Sequence, residues 1–421
     1  LTKHRLTLDI ASGGEVLIQQ CATCHARREP FGDGNPIPGT PFHDSYRLST
    51  LRDGVYHADG QILNEVYVYG SFLQSRMYAK GVTCNDCHEP HAARLRDDTN
   101  GICTQCHSEA GNTRFPSLTL NDYDSPAHHF HEQGSEASQC KSCHMIERNY
   151  MVVDGRRDHS FRIPRPDLSL ETRSPNACTD CHTDKSSAWA AAAVESWYPE
   201  SEHRGSHFGQ ALAAGRDDLR GSAEQLADLA LNMEVPGIAR ATALEMLGEA
   251  SSAQLAERVA SLLDDADPMV RAAAVGVQSG ASLRERTTRL EPLLSDPVKA
   301  VRLAAVREFL ALDPAALSSA GRTSLQEALQ EWQTSLLAKT DFPETQLVLG
   351  GIGLTSRNFE AALSAFAEAT LLDPQMEQAW VMRIRILAAL GNSEAARSVA
   401  DQAIEANPDS VALYLLRLDL P

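Results

Sequence analysis

The chain has 421 residues, 43% of them apolar and 22% charged, which is enough to bury at least two ordinary cores and too apolar for a disordered polymer. Its 56 acidic against 38 basic side chains leave a formal charge of −18, which excludes nonspecific binding to a nucleic-acid backbone. The longest uninterrupted apolar run, Ala188 to Val194, falls far short of the roughly 20 residues a membrane-spanning helix needs, so no membrane span is expected.

In chain order, the first features are ten cysteines in five pairs: Cys21/Cys24, Cys84/Cys87, Cys103/Cys106, Cys140/Cys143 and Cys178/Cys181. Every pair is followed at once by a histidine: His25, His88, His107, His144 and His182. With 15 histidines in the chain, five such followers by chance have a probability on the order of 10⁻⁷. Two thiols three positions apart can each form a thioether with one vinyl group of a single porphyrin, and the next side chain then lies under the iron as its proximal ligand. The spacing therefore predicts five covalently attached haem c groups. Zinc sites would use two pairs per metal and leave the histidines unexplained; a disulfide framework or a thioredoxin-type redox pair are the other uses of these thiols. Covalent attachment takes place outside the cytoplasm, so the protein is expected to be exported, periplasmic or extracellular, with a leader ahead of Leu1.

Ten histidines lie outside the motifs, and a c-type haem with two axial histidines transfers electrons without an open site. His91, three residues past His88, is placed to reach a neighbouring haem. His57 and His159 each adjoin an acid or hydroxyl that could orient the imidazole. The cluster His128, His129 and His131 should supply at least one distal ligand. His43 serves if another candidate faces solvent, while His4, His203 and His207 have less in their favour.

All ten cysteines and 13 of the 15 histidines precede residue 183, and that part is broken by proline and glycine, as in Glu29 to Asp44 and Ile163 to Pro166. It reads as loops and short helices whose core the porphyrins supply, and without haem it is expected not to fold. Ser186 to Tyr198 reads as a helix ended by Pro199, with Trp189, Ala193 and Trp197 as a stripe packed on the fifth haem. Arg240, Arg271 and Arg302 then recur every 31 residues, the latter two after Asp267-Pro268 and Asp296-Pro297. Asp264, Asp265 and Asp267 read as an acidic cluster on a solvated turn. Further on, Ala362, Phe366, Ala369 and Pro374 recur 34 residues later as Ala396, Ala400, Ala403 and Pro408. The fold class is mainly α: a loop-rich pentahaem cytochrome domain (1–185), a helix and linker (186–221), and an α-helical solenoid of two repeat types (222–320 and 321–421).

The repeats after Arg240 resemble HEAT repeats, and residues 343–410 resemble tetratricopeptide repeats, although Gly353 stands where that family has an aromatic. Tyr56 to Tyr69, Gly81 to His91, Ser125 to His131 and Tyr150 to Asp167, with the doubled motifs, resemble multihaem c-type cytochromes of the hydroxylamine oxidoreductase and tetrahaem cytochrome superfamily. The resemblance implies an electron-transfer protein rather than an enzyme, with redox proteins as partners and self-assembly through the haem domain or the solenoid, as in cytochromes that polymerise into conducting filaments. The alternative is an oxidoreductase with one open haem acting on nitrite, hydroxylamine or a similar nitrogen or sulfur species; the lysine-for-histidine motif of the superfamily's nitrite reductases does not occur here. Haem propionates would add to the charge of −18 and favour basic partners.

Overall fold

The computed structural model describes residues 13–150, 152–310 and 314–420; His4 lies outside them. The molecule is mainly α, 57% helical, and among the described residues the strands form only short pairs. Two of these pairs are antiparallel, with His88 opposite Leu95 in one and Glu147 opposite Arg157 through Tyr150 opposite Asp154 in the other. The chain divides into two compact units, residues 1–29 with 36–304, and residues 30–35 with 305–421.

In the first unit each cysteine-pair motif folds as a single helical turn. The backbone N–H of the histidine donates to the carbonyl of the first cysteine at 2.9 Å in His25, His107 and His182, and the same bond closes the turn at His88. His144 ends the helix Cys140–His144. Residues at i, i+3 and i+4 of such a turn share a face, so both sulfurs and the imidazole point the same way. Local capping stops these turns from fraying: Thr83 and Asp86 form a capping box ahead of Cys84–Cys87, and the Asn176 side chain accepts from Thr179 N ahead of Ala177–Cys181.

The expectation that porphyrins alone supply the core of this part needs dividing. Residues 42–73 have a protein core of their own, in which Phe42, Leu51 and Tyr56 are at most 1% exposed and Val66, Tyr69 and Phe72 are buried around them. Phe42 packs against Tyr46 and Tyr69 with ring centres 5.3 and 5.1 Å apart. This core docks on the helices that follow. Leu51 N donates to Thr242 Oγ1 at 2.9 Å, and Arg216 donates to the carbonyls of Leu51 and Tyr56 at 2.7 and 3.0 Å. Gly209 is obligatory at this contact, because a Cβ there would lie 2.6 Å from Asp59 Cα. By contrast, between residues 76 and 149 Ser138 is the only buried residue. Thr242→Val leaves the Leu51 N–H buried without an acceptor and is expected to cost about 1–3 kcal/mol, read as a lowered urea midpoint at unchanged slope.

The 31-residue period has a physical cause in the structure. Arg240 pairs with Asp265 at 2.5 Å and Arg271 with Asp296 at 2.8 Å, so each arginine reaches the aspartate that opens the next repeat. Arg271 and Arg302 also donate at 2.7 Å to the carbonyls of Asp265 and Asp296, the turn of their own repeat. Of the acidic cluster, Asp264 is exposed as expected, but Asp265 is buried against Arg240, and Asp267 caps Pro268–Val277 by accepting from Met269 N at 2.8 Å. Ser187–Trp197 forms the expected helix, capped by Ser186.

In the second unit the helices Pro343–Thr355, Phe359–Leu372, Glu377–Ala389, Ser393–Ala406 and Val411–Leu418 pack as hairpins. Asn358 and Asn392, 34 residues apart, each cap the second helix of a pair by accepting from Ala361 N and Ala395 N. Gly353 replaces the family's aromatic for a steric reason. A Cβ there would lie 2.7 Å from Ala362 N, so the two helices approach too closely for any side chain. Phe366, Ala362 and Ala369 form the buried seam of one pair, Trp380, Ile384 and Ala400 that of the next.

Candidate functional site

Three of the motif histidines face a histidine from outside the motifs. The ring centres of His88 and His159 are 6.2 Å apart at an interplanar angle of 22°. Those of His144 and His128 are 6.2 Å apart at 6°, and those of His182 and His131 are 6.3 Å apart at 34°. Two imidazoles bound to one metal ion at about 2.0 Å, each with about 1.1 Å from nitrogen to ring centre, put their centres about 6.2 Å apart. The same separation recurs three times, each time with one motif member.

Hydrogen bonds set the tautomers. His144 Nδ1 lies 2.6 Å from the Arg162 carbonyl and His159 Nδ1 2.9 Å from the Arg157 carbonyl, while His131 Nδ1 meets the His129 carbonyl. A carbonyl only accepts, so each Nδ1 carries the proton and each Nε2 lone pair is free for a metal. The Tyr198 hydroxyl donates to the His128 carbonyl and accepts from His128 Nδ1 at 2.9 Å, which leaves that Nε2 free as well. Burial lowers the pKa of His88, His107, His128, His144 and His159, which keeps the imidazoles in the neutral form that binds metal.

The other candidates are placed differently. In His129, Nδ1 accepts from His131 N and Nε2 lies 3.2 Å from Gln133 Oε1, so Nε2 carries the proton. Asp124 engages the Gln133 amide nitrogen and thereby orients that amide. His207 is tied up in the same way, because its Nδ1 accepts from Gly209 N at 3.0 Å to cap Phe208–Asp217. His43 is held to about 4 by burial and packs edge-on to Phe42. His57 is half-buried, and burial lowers its pKa; His91 and His203 are exposed. Among the described residues none of these stands opposite a motif imidazole, and none faces His25 or His107. The ring of Tyr123 lies beside His107, 6.1 Å away and nearly perpendicular, and bridges to His128 at 5.1 Å.

The aromatic helix brackets the last pair: Trp189 lies 4.9 Å from His182, and Trp197 stacks on Phe130 at 4.6 Å beside His131. Among the described residues no group of three or more His, Cys, Asp or Glu side chains converges on one point, as a zinc site would require, and all ten cysteines are free of disulfides. The residues fit haem c. Residues 77–112 match the family model of the doubled CXXCH motif. This is the signature of multihaem c-type cytochromes. It indicates covalently bound haem c and a role in electron transfer for this chain. Residues 354–418 match the tetratricopeptide repeat model, a fold that suggests protein–protein interaction. No curated protein and no solved structure matches the chain. Among the described residues no helix is long and apolar enough to cross a membrane.

Sequence reasoning did not find Tyr198, Tyr123, Arg157 or Arg162, which orient or flank the imidazoles. Two of the four act through their carbonyls, which every residue has. Tyr198 lies 70 positions from the histidine it orients, so local spacing carries no signal for it.

Proposed function

We propose that this chain is an exported pentahaem electron carrier, periplasmic or extracellular, with haem c held at Cys21/Cys24, Cys84/Cys87, Cys103/Cys106, Cys140/Cys143 and Cys178/Cys181. Haem bound there supplies one-electron transfer. The chain supplies the imidazoles, burial favours the neutral form of His88, His107, His128, His144 and His159, and Nδ1–H bonds aim the Nε2 atoms of His128, His131, His144 and His159. The observation that carries the reading is the set of three imidazole pairs, from which His159, His128 and His131 are assigned as distal ligands to the irons of His88, His144 and His182. The repeats, HEAT-like after Arg240 and tetratricopeptide after residue 354, serve to dock a protein partner or a second copy. A filament of such copies is the assembly the cytochrome resemblance implies, and electron microscopy of secreted material is its test.

Pyridine haemochrome analysis should give five haems per chain, and electron paramagnetic resonance should show low-spin iron for at least the three paired sites. His159→Ala is expected to turn one haem high-spin with the haem content unchanged, whereas His129→Ala leaves the spectrum as it was. A spectrum altered by His129→Ala and not by His159→Ala would overturn the assignment. Tyr198→Phe removes the acceptor from His128 Nδ1–H, makes the imidazole a poorer donor, and should raise the potential of one haem by roughly 20–60 mV in a redox titration.

The second reading is an oxidoreductase acting on nitrite, hydroxylamine or a similar species. It is favoured by His25 and His107, which no described histidine faces. Cyanide or nitrite binding by a high-spin fraction of the untreated protein would decide for it.

A further inference from the structure

The order of the motifs along the molecule follows from contacts that the haem reading does not itself require, although the inference rests on that reading. Numbered in sequence, the motifs are I at Cys21, II at Cys84, III at Cys103, IV at Cys140 and V at Cys178. The helix Gly13–Ala22, which carries Cys21, packs against the turn Cys84–Cys87, and Gly14 on that helix lies against the Thr83 methyl that precedes motif II. Motif II joins motif III through Asp86, whose carbonyl accepts from Gln105 at 3.3 Å and whose carboxylate pairs with Arg114. Motif III joins motif IV through Asn100, whose Oδ1 accepts from Cys140 N at 3.0 Å and whose Nδ2 donates to the Ser138 carbonyl at 3.0 Å. Motif IV joins motif V through Arg148 and Asp180 at 2.7 Å.

The outer histidines repeat this order. His128 and His131, which face the motif IV and V histidines, lie three positions apart on one segment, and Tyr123 links His107 of motif III to His128. Exposure marks the ends. Of the ten cysteines, Cys24 in motif I and Cys181 in motif V are exposed, and the other eight are partly covered. We infer that the five motifs stand in one unbranched file in sequence order, and that a one-electron redox protein reaches the file at its two ends, beside Cys24 and Cys181.

Anomalous diffraction at the iron edge from crystals of the full-length holoprotein tests the order. Five peaks are expected, with the irons of His25 and His182 outermost and every nearest neighbour a sequence neighbour. Five peaks in a branched or permuted arrangement overturn the inference and leave the haem reading standing; fewer than five peaks count against the haem reading instead. The ends are tested by reduction with hexaammineruthenium(II) at low ionic strength. Asp184→Lys places a cation beside motif V and should slow the bimolecular rate several-fold, with the difference vanishing at high salt. Asp98→Lys, between motifs II and III, should leave the rate within experimental error, and an equal slowing by Asp98→Lys overturns entry at the ends.

Discussion

A chain with all ten cysteines replaced by alanine keeps the core of residues 42–73 and the helices from Phe208–Asp217 onward, but residues 84–149 lose their structure. Hydrogen exchange read by mass spectrometry should show amides of the latter segment exchanging at unfolded-chain rates, while those of Gly237–Glu249 and Pro268–Val277 stay protected. The reason is the distribution of buried surface. Ordering the backbone costs about 1–2 kcal/mol per residue, which over residues 76–149 is on the order of 10² kcal/mol. That stretch buries only Ser138 among its own residues, so no protein core offsets the cost. Leu51, Tyr56, Leu244 and Leu247, by contrast, are at most 1% exposed and need no porphyrin to exclude water. Protection of residues 84–149 in the cysteine-free chain would show that the segment folds on contacts other than haem.

Arg162→Met should cost about 3–5 kcal/mol, measured on the holoprotein by chemical denaturation, while the pyridine haemochrome still gives five haems. The Arg162 side chain is 15% exposed and stands among Asp158 at 3.4 Å and Asp59 at 3.9 Å, whose side chains are 6% and 7% exposed. It also donates to the Asp59 carbonyl at 2.8 Å and to Gln74 Oε1 at 3.0 Å. Removing the guanidinium leaves two buried carboxylates without their cation. The cost is therefore far above that of a surface pair such as Arg94 and Glu89, where Arg94→Met should change stability by less than about 1 kcal/mol. The sign with pH is also defined. Burial opposes the charge on Asp59, but the Arg162 guanidinium and the hydrogen bonds from Gln61 hold its carboxyl below the usual range. In the native protein that stability is present above the ordinary carboxylate pKa and is lost as pH falls through the lower folded value. Without Arg162 only the hydrogen bonds still oppose burial, so the Asp59 carboxyl rises from its native value and the variant's deficit should shrink as the solution is acidified through the carboxylate range. A deficit that does not depend on pH would mean that the loss is one of packing and not of charge.

Arg162 also shows why part of the site was hidden. Its guanidinium holds Asp59, 103 positions away, and its carbonyl orients His144. Neither role follows from local spacing. His129 and His128 are adjacent and look equivalent as residue types, yet Gln133 and Asp124 commit one to the wrong tautomer while Tyr198 commits the other to the right one. The doubled cysteine motifs, the 31- and 34-residue periods and the mainly α character were legible because each depends on neighbours within a few positions or on strict repetition. Gly353 was visible as a departure, but its cause was not, since only the approach of Ala362 explains it.

The sequence by itself determined the haem-binding chemistry, because thioether attachment and proximal ligation are written within five consecutive residues and need only one helical turn to become competent. It also determined that helical repeats follow, because a repeat buries its face only against a similar neighbour. Tertiary structure alone decided which spare histidine faces which motif, the tautomer each holds, and where protein supplies the core. Those outcomes depend on carbonyls, hydroxyls and carboxylates brought together from positions far apart in the chain, and a side chain's type does not say which distant backbone atom will meet it.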